Sequence, residues 1–388
     1  MSENRIYKLL ISFLIVSLMG LSTTFQYQRF VTLGFIPLFF LFLIIKNKFA
    51  FKSLKNNYIN IYVIIIILSI ALVFVSIDLT LALENIIQLF GVLLSSIIIL
   101  EILEVKNTNL LNWIFISFIL GFYISVYFLF NDLASDINLE STWVPRDVYD
   151  LNANKYSYNS FIANIAALYL VELTNKKRFI VLSFLTLILS VYTSFFTASR
   201  SGLIFPLAAV LVYWLFIYDK TKKTFRYVKT FIVLVSIFYF SQYLYSIYSN
   251  SYLKERVTRS NDNGDIRNYL ARDAINFFLD NPLIGLGPGQ YSAYNVSYNN
   301  LYTHNSYLEA ATNLGIFGFI TICFLFFKPL INSLKKKTNN FLSLRKLTFL
   351  YFFLFILYNN FYVFYWSITD MMFFFLCTWV LEKKLSKQ

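Results

Sequence analysis

Charge is scarce in this 388-residue chain: Asp, Glu, Lys and Arg make up 14% of it, against 58% hydrophobic and 20% aromatic residues. A soluble domain of that length cannot cover its surface with so few polar groups, so a water-soluble globular protein is excluded. Cysteine is almost missing. Its two copies, Cys323 and Cys377, lie in separate apolar runs, which excludes a disulfide framework and a metal-spaced cluster. Histidine occurs once, at position 304. The chain also has no internal repeat and no inverted pair of broken helices of the kind that builds secondary transporters. The glycines after Pro282 do not match Walker or Rossmann spacing, and NDNGD at 261–265 lacks the ligand spacing of a calcium loop.

What the chain does have is long apolar stretches, with a mean hydropathy of +0.62. Lipid requires every backbone polar group to be satisfied within the segment, and helices achieve that. Twelve runs qualify: 9–24, 30–45, 58–77, 81–100, 110–130, 156–173, 179–197, 202–218, 230–248, 314–327, 347–365 and 368–381. The expected fold is therefore an all-α polytopic membrane protein of about twelve transmembrane helices, forming one integral-membrane domain over residues 1–388. Arg5 and Lys8 precede the first run as in a signal sequence, but no small-residue cleavage site follows, so the run is read as uncut.

The net charge of +13 would suggest nucleic acid in a soluble protein, but here its placement follows the membrane. With both termini in the cytoplasm, 24 of the 33 basic residues fall on the inner side, including Lys46 to Lys55, Lys176 to Arg178 and Lys335 to Lys337. No nucleic-acid partner is expected. Two long external segments result, 131–155 and 249–303, the second inserted between the ninth and tenth spans.

The second segment carries most of the chemistry. Residues 265–280, DIRNYLARDAINFFLD, place Ile266, Tyr269, Leu270, Ala274, Phe277 and Phe278 on one stripe of an amphipathic helix, with Asp265 as N-cap and Asn281-Pro282 as its end. Arg267 then lies in the first turn, where a cation opposes the helix dipole and a bound anion relieves it. Two readings stand for Arg267 and Arg272: a solvated face paired with Asp265 or Asp273, or recognition of phosphate by guanidinium forks. Arg200, in TASRSG between two apolar runs, is either a snorkelling side chain or a functional charge at the membrane rim. His304 stands at the mouth of the tenth run; lone histidines usually serve structure, yet an imidazole there also suits proton transfer near neutrality. Gly315 and Gly318, one turn apart, are expected to let a neighbouring helix approach closely.

Three motifs together resemble the O-antigen ligase and polymerase superfamily, membrane glycosyltransferases of bacterial surface polysaccharides. They are TASRSG around Arg200, Arg267 fifteen positions before Pro282 in NPLIGLGPGQY, and HNSYLEAATNLGIFG from His304. The resemblance implies a reaction at the outer face of the inner membrane, with undecaprenyl-pyrophosphate-linked oligosaccharide as donor and a glycan or lipid A core as acceptor. It implies Arg200 and Arg267 as holders of the pyrophosphate, with Arg272 and Lys155 as weaker candidates, and His304 as general base. Tyr291, Tyr294, Tyr302 and Asn305 are candidate sugar contacts. No cofactor and no metal are implied, because arginines take the role of a divalent cation and the donor is already activated. The expected activity is a polymerase joining lipid-linked repeat units; the alternative is a ligase moving finished glycan to lipid A core. A lipid-linked oligosaccharide flippase ranks lower, since it would need polar residues along several span interiors. Membrane lipids complete the expected partners.

Overall fold

The computed structural model describes residues 3–21, 30–47, 51–106, 110–136, 153–197, 199–218, 266–295, 301–335 and 342–383. Among these residues the chain is helical, with no strand. The order is α1 (Glu3–Val16), α2 (Ile36–Asn47), α3 (Asn57–Ala71), α4 (Leu79–Lys106), α5 (Leu111–Asp136), α6 (Ala153–Thr174), α7 (Lys177–Phe196) and α8 (Arg200–Val212). It continues with α9 (Ile266–Asp280), α10 (Ser306–Leu334), α11 (Leu342–Tyr358) and α12 (Ile368–Lys383). Wider π-helical turns extend α1 at Ser17–Leu21, precede α2 at Val31–Phe35 and extend α8 at Tyr213–Ile217. Among the described residues, six segments are long and apolar enough to cross a membrane: Asn57–Val75, Leu79–Glu104, Leu111–Asn131, Lys177–Phe196, Arg200–Ile217 and Ser306–Leu334. The expected run at 230–248 and the proposed cap Asp265 lie outside the described residues.

Two helices form the centre. Residues 156–171 of α6 and 368–381 of α12 are buried on every side, so these helices meet other helices rather than lipid. Several polar residues of α6 find partners inside the bundle. Asn164 donates to Ser190 Oγ at 2.7 Å, and the Tyr169 hydroxyl donates to Thr348 Oγ1 at 2.9 Å. Aromatic rings fill the rest, with Phe115 stacked on Tyr169 at 4.9 Å and Phe118 edge-on to Phe373 at 4.9 Å.

Side-chain contacts divide the bundle into two ends. At one, Ser53 N donates to Glu101 at 3.0 Å, Asn332 donates to the Tyr58 hydroxyl at 2.9 Å, and Lys383 pairs with Glu104 at 2.8 Å. The described basic residues Lys52, Lys55, Lys328, Lys335 and Lys383 belong to this end. At the other end Asp78 N donates to Gln290 Oε1 at 2.8 Å, and Ser306 N donates to Asn359 O at 2.9 Å.

Two helices depart from the expected runs. The tenth was placed at 314–327, but α10 starts at Ser306 and is broken within, because Gly315 adopts φ 66° and ψ −164°. The segment after Pro282 fills that break: Leu286 N donates to Thr312 O and Gly287 N to Asn313 O, both at 2.9 Å, while Ile316 N donates to Pro282 O at 2.8 Å. A Cβ on Gly315 would collide with the Leu283 carbonyl. The close neighbour at Gly315 is thus this loop, correcting the expectation of a packed helix; no side chain is tolerated because backbone meets backbone there. The eleventh run was placed at 347–365, but α11 stops at Tyr358. Residues beyond it are held at the start of α10, with Ser306 Oγ donating to Tyr362 O at 3.1 Å and Phe364 N donating to Ser306 Oγ at 2.9 Å.

Candidate functional site

His304 is held in the left-handed region at φ 57°, which histidine tolerates better than most side chains. Its neighbours impose that geometry. Thr303 N donates to Glu309 Oε2 at 2.9 Å, and Thr303 Oγ1 donates to Asn305 O at 2.9 Å. Asn305 caps α10, its Oδ1 accepting from Tyr307 N at 2.9 Å and Leu308 N at 3.1 Å. The imidazole rests against Tyr302, with ring centroids 4.2 Å apart.

From Tyr302 an aromatic chain leads across the end of the bundle. Tyr302 meets Tyr362 at 5.7 Å, Tyr362 meets Tyr158 at 4.1 Å, and Tyr158 meets Tyr358 at 5.3 Å. Tyr358 stacks on Phe205 of α8 at 4.1 Å, with the planes 4° apart. Phe205 touches Phe361 at 5.9 Å, and the Arg267 guanidinium lies 5.9 Å from the Phe361 ring. The charge of Arg267 also acts on Tyr158 and Tyr358. Arg200 opens α8, the helix that carries Phe205 to Tyr358. Gly202 lets this helix start seat on α6, since any Cβ there would strike Ser157. Arg267 and His304 therefore border one aromatic cluster at the end of the bundle away from Lys52, Lys55, Lys328, Lys335 and Lys383, and Arg200 begins the helix that supplies Phe205 to it.

The remaining candidates divide. Tyr302 belongs to the cluster. Arg272 is exposed, five positions beyond Arg267 and so about 140° round the helix, and Tyr294 is also exposed. Tyr291 is fully buried, its hydroxyl donating to Leu270 O at 2.8 Å, so it anchors α9 rather than offering a ring to a sugar. Asn305 is committed as a helix cap, with its amide donating to Asn360 at 3.3 Å. Lys155 lines a polar cavity together with Asp370. Of the α9 stripe, Leu270 and Ala274 are buried and Phe277 and Phe278 partly so, whereas Ile266 and Tyr269 are exposed at the edges.

Three features went unread in the sequence. Glu309, 1% exposed, holds the backbone beside His304, and Phe361 faces Arg267 from a segment assigned to a span. Asp370, 5% exposed, is an acid inside an apolar run, a signal that was visible.

An imidazole and a guanidinium on one set of rings, with a second arginine at the start of α8, are equipped to take a proton at one point and to offset negative charge at others. No curated protein matches the chain. The model of a family described as O-antigen ligase matches residues 160–323, from α6 through Arg200, Arg267 and His304 into α10, and over this segment the chain is similar to that family.

Proposed function

We propose that the protein is a polymerase of surface polysaccharide, joining repeat units carried on undecaprenyl pyrophosphate at the outer face of the inner membrane. The observation that carries this reading is the aromatic cluster shared by Arg267 and His304, with Arg200 at the start of the helix that supplies Phe205 to it. His304 takes the proton from a sugar hydroxyl of the acceptor as that oxygen attacks the anomeric carbon of the donor. The bond from that carbon to the pyrophosphate oxygen breaks, and Arg267 and Arg200 offset the charge left on the lipid pyrophosphate. Phe361 fixes the Arg267 guanidinium, so the cation need not be ordered when the donor arrives. The position of this cluster opposite Lys52, Lys55, Lys328, Lys335 and Lys383 supports an outward-facing site, since basic loops stay in the cytoplasm.

The alternative is transfer of a finished glycan to lipid A core, which uses the same donor and the same groups. Purified protein in nanodiscs, given lipid-linked repeat units with and without lipid A core, separates the two by product size. A ladder formed without core is the expected result. A single adduct that requires core makes the protein a ligase, and no product under either condition sinks both readings.

A further inference from the structure

A cavity of about 180 Å³ opens beside the aromatic cluster, between the π-helical turns flanking α1 and α2, the middle of α4, the start of α6 and the segment joining α11 to α12. That is room enough for a sugar ring. Its lining is not that of a lipid groove. Lys155 and Asp370 both face it and attract each other, and Ser367 Oγ donates to Asp370 Oδ2. Thr32 Oγ1 is buried with no hydrogen-bond partner among the described residues. Rings supply another wall, from Tyr362 and Trp366.

The helices give up regular geometry to form this space. The π-helical turn after α1 turns carbonyls aside, where Asn159 donates to Met19 O at 3.1 Å and Thr369 donates to Leu18 O at 3.4 Å. Leu18 and Thr32, from the two π-helical turns, both reach the cavity. Tyr362 and Trp366 also contact Tyr302, at 5.7 and 6.4 Å, so one aromatic layer separates the cavity from His304.

We infer that this cavity holds one neutral sugar ring of the glycan, adjacent to the ring whose hydroxyl reacts at His304. The inference rests on the glycosyl-transfer reading above. An anion entering the cavity meets Asp370 and a cation meets Lys155, whereas a polyol hydrogen-bonds to both. The carboxylate accepts from hydroxyls, the ammonium donates to them, and the faces of Tyr362 and Trp366 take the apolar face of the ring. The subsite selects which repeat unit is used.

Full-length protein in nanodiscs, titrated with methyl glycosides of a neutral hexose, an N-acetylhexosamine and a hexuronic acid, tests this. Binding is read by tryptophan fluorescence and by ligand-observed saturation-transfer NMR at roughly millimolar concentrations. A neutral glycoside is expected to bind, Trp366→Phe to remove the fluorescence response, and Asp370→Asn to weaken binding about tenfold or more. Should Asp370→Asn fail to fold, Thr32→Val and Gln88→Met replace it, with weakening again expected. His304→Asn is expected to keep glycoside binding while losing transfer. Absence of binding by either readout, a hexuronide that binds as tightly as the neutral glycosides, or folded cavity variants that bind like the parent would overturn the inference. Polymer synthesis without glycoside binding refutes the subsite alone. Glycoside binding without any glycosyl transfer refutes the enzyme reading and leaves the sugar pocket standing.

Discussion

Glu309 accepts the amide of Thr303 through Oε2 at 2.9 Å and the side-chain amide of Asn313 through Oε1 at 2.8 Å. Asn313 in turn accepts Tyr291 N through Oδ1 at 2.8 Å. One buried carboxylate thus ties the residue before His304 to the loop that fills the α10 break. The imidazole is aimed by a network that reaches the floor of α9.

Both Glu309 oxygens act as acceptors, so Glu309→Gln forces an amide nitrogen against an N–H donor on one side. Leaving such a buried donor unmatched costs about 1–3 kcal/mol. Turnover is expected to fall at least about tenfold, because a 1 Å displacement of a catalytic group is already costly. Thermal unfolding and transfer rates of the purified variant measure both effects. Unchanged turnover with lowered stability would make Glu309 a purely structural residue.

The apolar runs made the helices legible, since lipid and the bundle interior both demand uninterrupted hydrophobic segments. Their ends were less so. The stop at Tyr358 and the early start at Ser306 depend on hydrogen bonds between segments more than fifty residues apart, which no local pattern encodes. Arg200, Arg267 and His304 stood out as rare charged or titratable residues near membrane edges, yet it was the order of their motifs that linked them. A helix cap such as Asn305 and a buried anchor such as Tyr291 look, in sequence, like polar loop residues, so their packing roles are not legible there.

Gly315→Ala tests the break in α10. A Cβ there meets the Leu283 carbonyl at a backbone angle that L side chains rarely adopt, so a loss of roughly 1–3 kcal/mol or more is expected. Gly34→Ala serves as the control, because the nearest atom to its added Cβ is 3.9 Å away. Thermal unfolding in detergent should separate the two variants clearly. Equal stability would mean the loop moves aside without cost.

Arg267 and Arg272 share α9 but not an environment. The guanidinium of Arg267 lies over Phe361, whereas Arg272 is exposed. Arg267→Lys keeps the charge and loses the planar fork, so the KM for lipid-linked donor should rise about tenfold or more. Arg272→Ala should stay within about twofold of the parent, as exposed charges contribute little. Steady-state kinetics over donor concentration decides. The reverse ranking would move the pyrophosphate site to the outer face of α9.

His304 needs a substitution that separates backbone strain from lost chemistry. Alanine at φ 57° adds a cost of its own, about 1–2 kcal/mol for a left-handed residue, so His304→Ala alone confounds the two. Asparagine tolerates this conformation and carries no base, which makes His304→Asn the cleaner probe. If the imidazole takes the acceptor proton, His304→Asn should fold with near-parental stability and lose turnover about a hundredfold or more. The pH profile supplies a second readout: the rate limb that reports the base should vanish in the variant. A variant that keeps both rate and pH limb would assign the proton to another group and leave His304 as part of the aromatic wall.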